Sequence, residues 1–220
     1  NKSSVLVGDF LFSRAFELMV ADGSLEILKI LSNASAVIAE GEVHQLVTAN
    51  DTDTTESDYL EVIGSKTAKL FAAATEIGPV LAERPDQERL ALRAFGHNIG
   101  MAFQLIDDVL DYSAPQASLG KTVGDDFREG KITLPVVLAF RAADDQGKAF
   151  WRRTLEDMEQ KKGDLKRATQ MLETSGAIRA TNERAREYGA KARGNLDTFQ
   201  DTPHKRALIE AIDFAVNRSY

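Results

Sequence analysis

Apolar residues recur at three- and four-residue intervals along almost the whole chain, the period that turns one face of an α-helix toward a core. Alternation with period two, the mark of a half-buried strand, is absent. The spacing predicts helices at about 3–21, 24–49, 57–82, 86–113, 131–143, 146–160, 164–174, 176–199 and 203–218. Start and stop signals agree. Gly23 separates the first two segments. "RPDQE" (84–88) places Pro85 near a helix start with acids in the first turn. Asp164, after Gly163, is expected to cap the next segment. "DTPHK" (201–205) offers Thr202 as a cap and Pro203 as the first helical residue. Two loops are long enough to carry chemistry: "NDTDTTE" (50–56) and "APQASLGKTVGDDFREG" (114–130). The fold class expected is all-α, a helical bundle, with residues 1–220 as a single domain.

Composition narrows the function. The 220 residues are 43% hydrophobic, enough for one sizeable core. There is no cysteine, so disulfides and thiolate metal sites are excluded, and a cytoplasmic location is expected. A net charge of -7 argues against nucleic acid as the main partner, because phosphate backbones need a basic face. The longest apolar runs, such as "LPVVLAF" (134–140), are too short to span a bilayer, so no transmembrane segment is expected.

One stretch breaks the apolar rule. "FQLIDDVLDY" (103–112) sets Asp107, Asp108 and Asp111 among Phe103, Leu105, Ile106, Val109 and Leu110. On a helix, Gln104, Asp107, Asp108 and Asp111 project to nearly one side. Two carboxylates about 4 Å apart repel by about 1 kcal/mol in water and about 4 kcal/mol at an effective dielectric near 20. Such a face is either open to water or occupied by cations, and carboxylates with retained water suit Mg²⁺ shared with substrate phosphates. A solvated polar face is the bland reading of a bare DxxD pair, and the apolar flanks weigh against it.

The following loop adds cations. "GKTVGDDFREGK" (120–131) brackets Asp125 and Asp126 with Lys121 and Lys131, ammonium groups suited to a phosphate. Its acidic pair reads as loop chemistry and not as a second clamp facing the helix. Upstream, "SKTAKLF" (65–71) puts Lys66 and Thr67 on a helix, where they suit a diphosphate oxygen if they face a cavity.

Together these pieces resemble the all-trans polyprenyl diphosphate synthases, and among them the long-chain octaprenyl and decaprenyl enzymes that make quinone side chains. The matching blocks are "SVLVGDFLFSRAF" (4–16), "IAEGEVHQL" (38–46), "SKTAKLF" (65–71), "GMAFQLIDDVLDY" (100–112), "LGKTVGDDFREGKITLP" (119–135) and "DTPHKRALIEAIDFAV" (201–216). The resemblance implies an isoprenoid-synthase bundle around a central cavity and a Mg²⁺-dependent prenyltransferase. It would condense isopentenyl diphosphate with an allylic prenyl diphosphate, and it would act as a homodimer. It implies that Asp107 and Asp111 are Mg²⁺ ligands, with Asp108 supporting and Asp126 near metal-bound water. It further implies that Lys66, Lys121 and Gln104 contact the allylic diphosphate, with Lys131 near the same anion. Thr67 and Phe103 match positions beside the allylic group and isopentenyl diphosphate. Asp9, Glu40, Glu42 and Gln45 fit the pattern, but packing and helix hydrogen bonds explain them equally well.

The family also has a first aspartate-rich motif, an arginine pair and an earlier basic patch, and residues 1–220 join its pattern after them. The expectation is that the chain as written shows one half of a metal clamp and does not elongate prenyl chains by itself. Two rivals stay open: a non-catalytic family-like subunit or fragment, and a terpene cyclase of the same fold. The three histidines, His44, His97 and His204, form no metal set, and Trp151, Tyr59, Tyr112 and Tyr188 read as packing residues.

Overall fold

The computed structural model describes residues 2–113 and 123–218. These form α1 (Lys2–Asp22), α2 (Leu25–Thr48), α3 (Glu56–Ile63), α4 (Lys69–Leu81), α5 (Asp86–Ser113), α6 (Asp125–Arg128), α7 (Leu134–Ala142), α8 (Asp145–Trp151), α9 (Asp164–Thr174), α10 (Ala177–Asn195) and α11 (Pro203–Asn217). Among the described residues there is no β-strand, as the period of the apolar residues requires. No helix among them is long and apolar enough to cross a membrane.

Local chemistry accounts for most boundaries. Ser24 caps α2 by accepting from the Ile27 amide, and Thr202 caps α11 from the Lys205 amide, with Pro203 in the first turn. Thr55 and Asp58 form a reciprocal capping box on α3, so the second half of "NDTDTTE" is a helix entrance. The Asp164 assignment needs correction. Gly163 holds the cap position in the left-handed region at φ 98°, and Asp164 is already helical. Its carboxylate instead accepts from the Lys161 amide and from Arg153.

Three segments differ from the periodic reading. The helix expected over 57–82 is interrupted by a π-helical turn, Gly64–Ala68. The helix expected over 146–160 passes into a second π-turn at Arg152–Glu156. The loop expected over 114–130 contains the short helix α6. A π-turn adds one residue without breaking the apolar pattern, so periodicity alone does not reveal it.

Helix α5 is the axis of the bundle. It contributes Phe95 and Ile99 to a core shared with Ala192, Leu196 and Ile212. It contributes Met101, Leu105, Ile106 and Leu110 to a core with Tyr59, Leu134 and Val137. Its Tyr112 joins a third core around Trp151, Phe150 and Leu172. Helix α4 lies against α5 unusually closely. A Cβ on Gly96 would run into Thr75 Oγ1 and the Phe71 carbonyl, and one on Gly100 would sit 2.7 Å from Ala68 Cα. Glycine at these two positions lets the backbones meet, which brings the π-turn beside the aspartate stretch.

A charged contact ties the other ends of these helices. Glu76 on α4 is buried, and Arg89 on α5 donates to it at 2.9 Å while also reaching Glu26 on α2. Helix α1 is the exception to the packing. Met19 is its only buried residue, and Leu6, Phe10 and Leu11 are 68%, 67% and 60% exposed.

Candidate active site

The α5 aspartates open onto a cavity of about 640 Å³. Gln104, Asp107, Asp108 and Asp111 line it from α5, Gln45 and Thr48 from α2, Lys66 from the π-turn, and Asp125, Asp126, Glu129 and Lys131 from residues 125–131. The helical spacing of the four α5 residues therefore does put them on one side. The "DDFRE" segment lies against them and not away in solvent. The amides of Asp125 and Asp126 each donate to the Asp111 carboxylate at 3.2 Å, and the Gly124 amide donates to the Asp111 carbonyl at 2.8 Å. Phe127, buried in the core, anchors that segment from beneath.

The three acids are not equivalent. Asp107 is about half exposed, with its side chain 46% accessible. Asp108 is 3% exposed, and both its oxygens are occupied: Tyr59 donates to one at 2.5 Å and Gln104 Nε2 to the other at 2.8 Å. Burial, then the nearby Asp126 charge, pushes the Asp108 carboxyl up to about 7, against the two hydrogen bonds that favour its charged form. Asp111 is pushed up to about 6 by the same two causes, opposed by the backbone donors of Asp126 and Asp125. Crowded acids with raised proton affinity form a site that gains from a cation.

Cationic groups face them. Lys66 donates to Gln45 Oε1 at 2.6 Å and lies 3.4 Å from Glu42 Oε1. Gln45 and Glu42, which the sequence left without a role, thus hold Lys66 against α2. Gly41 permits this, because a Cβ there would sit 2.9 Å from the Lys66 amide nitrogen. Lys131 bridges Asp126 at 2.9 Å and Glu129 at 2.8 Å. Burial works against its charge, but the hydrogen bonds it donates to Glu129 and Asp126 outweigh that and push its pKa up. Thr67 donates to Gln104 Oε1 at 2.9 Å. Phe103 packs against Phe71 with ring centroids 5.5 Å apart and the planes tilted by 40°, on the flank of the same helix. Lys121 lies outside the described residues.

Two residues escaped the sequence reading. Tyr59 looked like core, and its ring is core, but its hydroxyl reaches Asp108. Arg218 sits 3.9 Å over the Phe103 ring, donates to the Phe103 carbonyl at 2.8 Å and lies 3.6 Å from Asp107 Oδ1. No spacing signal links position 218 to position 107.

Mg²⁺ can be tested against this donor set. No three acidic or histidine side chains converge into a ready-made cage among the described residues. Mg²⁺ does not require one, since it is commonly held by one or two carboxylates, waters and substrate phosphates. Asp107 offers an accessible carboxylate for this. Thr54 Oγ1, buried at the cavity wall with no hydrogen-bond partner among the described residues, suits retained water. The residues present fit a cation shared with a diphosphate. Asp108 is placed differently from the other two, since it alone of the three is buried, with side-chain donors on both oxygens, whereas Asp111 is half-buried under backbone amides and Asp107 is open.

The Polyprenyl synthetase family profile matches residues 1–172. The chain belongs to the polyprenyl synthetase family. It is 44% identical to the octaprenyl diphosphate synthase of Escherichia coli (strain K12) over 218 residues, 99% of this chain and 67% of that protein. It is also similar to a decaprenyl diphosphate synthase structure from Rhodobacter capsulatus, at TM-score 0.93 and 46% identity, covering 100% of this chain and 68% of the other. A polyprenyl synthase from Caulobacter crescentus, complexed with calcium and isoprenyl diphosphate, matches at TM-score 0.96 and 49% identity, covering 99% and 66%. Within the polyprenyl synthetase pattern, the aspartate stretch, Lys66 and Lys131 line one cavity in this chain, and Thr67 stands behind Gln104, to which it donates.

Proposed function

We propose that this chain works, in the intact protein, as a Mg²⁺-dependent prenyltransferase that condenses isopentenyl diphosphate with an allylic diphosphate to build a long all-trans polyprenyl diphosphate. The observation that carries this is the single cavity in which accessible Asp107 is accompanied by Lys66, Gln104 and Lys131. The likeness to octaprenyl and decaprenyl synthases supports the long product, and the calcium and isoprenyl diphosphate of the Caulobacter protein support joint binding of cation and diphosphate.

A bound divalent cation would neutralise the diphosphate charge that grows as the leaving group departs. Asp107 and Asp111 would hold that cation. Lys66 and Lys131 would offer ammonium groups to the same anion, stabilising charge that is larger in the transition state than in the substrate. Lys121 is proposed for the same role. Gln104 and Thr67 would orient the diphosphate, and Phe103 would lie beside the prenyl group. In the reaction the allylic C–O bond breaks and its electron pair leaves with diphosphate. The double bond of isopentenyl diphosphate attacks the allylic carbocation, forming the new C–C bond. A proton is then lost to the departing diphosphate. Asp126, tied to Lys131, would keep that lysine beside the anion and stand near cation-bound water.

We also propose a homodimer, a cytoplasmic location and residues 1–220 as one domain. The apolar stripe of α1 supports the dimer, because a second copy would cover Leu6, Phe10 and Leu11. The test of the main reading is an assay of the intact protein with radiolabelled isopentenyl diphosphate and farnesyl diphosphate, with and without Mg²⁺. Mg²⁺-dependent long-chain product is expected. Product formed equally well in chelator, or a cyclised hydrocarbon instead, would overturn it.

A further inference from the structure

Four polar side chains from three elements form one hydrogen-bonded line at the cavity wall. Tyr59 on α3 donates to Asp108 Oδ2 at 2.5 Å. Gln104 Nε2 donates to Asp108 Oδ1 at 2.8 Å. Thr67, on the π-turn, donates to Gln104 Oε1 at 2.9 Å. Tyr59 and Asp108 are 4% and 3% exposed, so water does not compete for the inner end of the line.

The line settles a choice that shape leaves open. An amide side chain fits almost equally well in two orientations related by a flip. The two ends differ chemically, since one donates two hydrogen bonds and the other only accepts. Both Asp108 oxygens accept here, Oδ2 from Tyr59 and Oδ1 from Gln104, so the nitrogen end of Gln104 faces Asp108. The oxygen end then meets the Thr67 hydroxyl, which donates. The second N–H on the same nitrogen is left for the cavity that Gln104 lines. This arrangement lasts only while Asp108 is itself held, and Tyr59 holds its other oxygen. Without that hydroxyl, one oxygen of a buried carboxylate loses its donor, and the group gains by turning toward the cations of the cavity.

We propose that Tyr59 is a positioning residue for the allylic diphosphate. It fixes Asp108, Asp108 fixes the Gln104 amide, and the amide presents an N–H to the anion. A reversed amide would present its carbonyl oxygen, which repels a phosphate. The proposal rests on reading the cavity as a diphosphate site.

The experiment compares Tyr59→Phe, Gln104→Leu and the double variant in the intact protein, varying the allylic diphosphate and isopentenyl diphosphate separately. Tyr59→Phe should raise KM for the allylic diphosphate about tenfold, a change of about 1.4 kcal/mol. It should leave KM for isopentenyl diphosphate within about twofold. In the Gln104→Leu background the same substitution should have no further effect on the allylic KM, because its route to the substrate is gone. A purely structural role would move both KM values or act equally in both backgrounds, and either result overturns the proposal. If Tyr59→Phe melts too low to assay, Asp108→Asn takes its place. Asparagine no longer forces the amide orientation, so the same allylic-specific rise, lost in the Gln104→Leu background, is expected. No turnover by the unsubstituted protein would overturn the functional reading and this inference with it. Normal turnover with additive effects would overturn this inference alone.

Discussion

The Arg218 guanidinium stands 3.6 Å from the Asp107 carboxylate, held there by the Phe103 carbonyl and ring. The arginine side chain is 5% exposed, so the positive charge is fixed in place and does not sweep through solvent. It therefore competes with any cation that Asp107 would hold. Arg218→Met is expected to tighten Mg²⁺ binding to the substrate-free protein about two- to fivefold, the scale of a partly exposed ion pair. Isothermal calorimetry checks it, and weaker binding would show that the arginine organises the site and does not compete within it.

Asp107→Ala should lower kcat/KM about 100- to 1,000-fold, the usual cost of losing one element of charge stabilisation in the transition state. The fold should be unaffected, because this side chain is half exposed and packs no core. Circular dichroism and steady-state kinetics on one preparation separate the two effects. Near-normal turnover at saturating Mg²⁺ would remove Asp107 from the cation site.

The buried Asp108 makes stability depend on pH in an unusual direction. Its folded-state carboxyl titrates at about 7, above its ordinary value of 3.8, so the folded protein binds more protons than the unfolded chain between those values. Stability from this group is present at low pH and lost as pH rises through about 7. Asp108→Asn has no such dependence at this position. The unfolding free energy of the variant, measured by denaturant titration without divalent cations, should gain on that of the unsubstituted protein between pH 5 and pH 8 by an amount on the order of a few kcal/mol at most. A constant gap across that range would show that Asp108 stays ionised. Saturating Mg²⁺ with a bisphosphonate should shrink the gain, because added cations lower the carboxyl's pKa again.

Gly100→Ala tests the close approach of α4 and α5. The new methyl would sit 2.7 Å from Ala68 Cα, a backbone atom that cannot swing aside. Destabilisation of about 1–3 kcal/mol is expected, as for overpacked cores. Because Lys66 and Thr67 lie in the turn ending at Ala68, turnover should fall by more than the loss of folded protein explains. Thermal melts and active-site titration of the soluble fraction check this.

The helices, most of their ends and the side of α5 that carries its acids were legible without coordinates, because each depends on neighbours one to four residues away. Thr202 with Pro203, and the spacing of Gln104, Asp107, Asp108 and Asp111, are local facts of this kind. The π-turns were not legible, since an added residue leaves the apolar pattern intact and is stabilised by packing such as that of Gly41 and Gly100.

What the sequence by itself determined is the all-α class and the presence of a carboxylate face followed by lysines. Family resemblance to the polyprenyl synthetases was equally readable, because ordered motifs survive as strings. What only the tertiary structure decided is how those charges divide their roles. Asp107 is open, Asp111 is capped by the amides of the next segment, and Asp108 is closed off by Tyr59 and Gln104. Adjacent residues on one helix differ by about 100° in direction. Whether a carboxylate meets water, backbone or a tyrosine then depends on α3 and α6, which arrive from 49 residues before Asp108 and 14 to 15 residues after Asp111. Burial and long-range partners set the charge state of each acid, and neither is written in the spacing of the acids themselves.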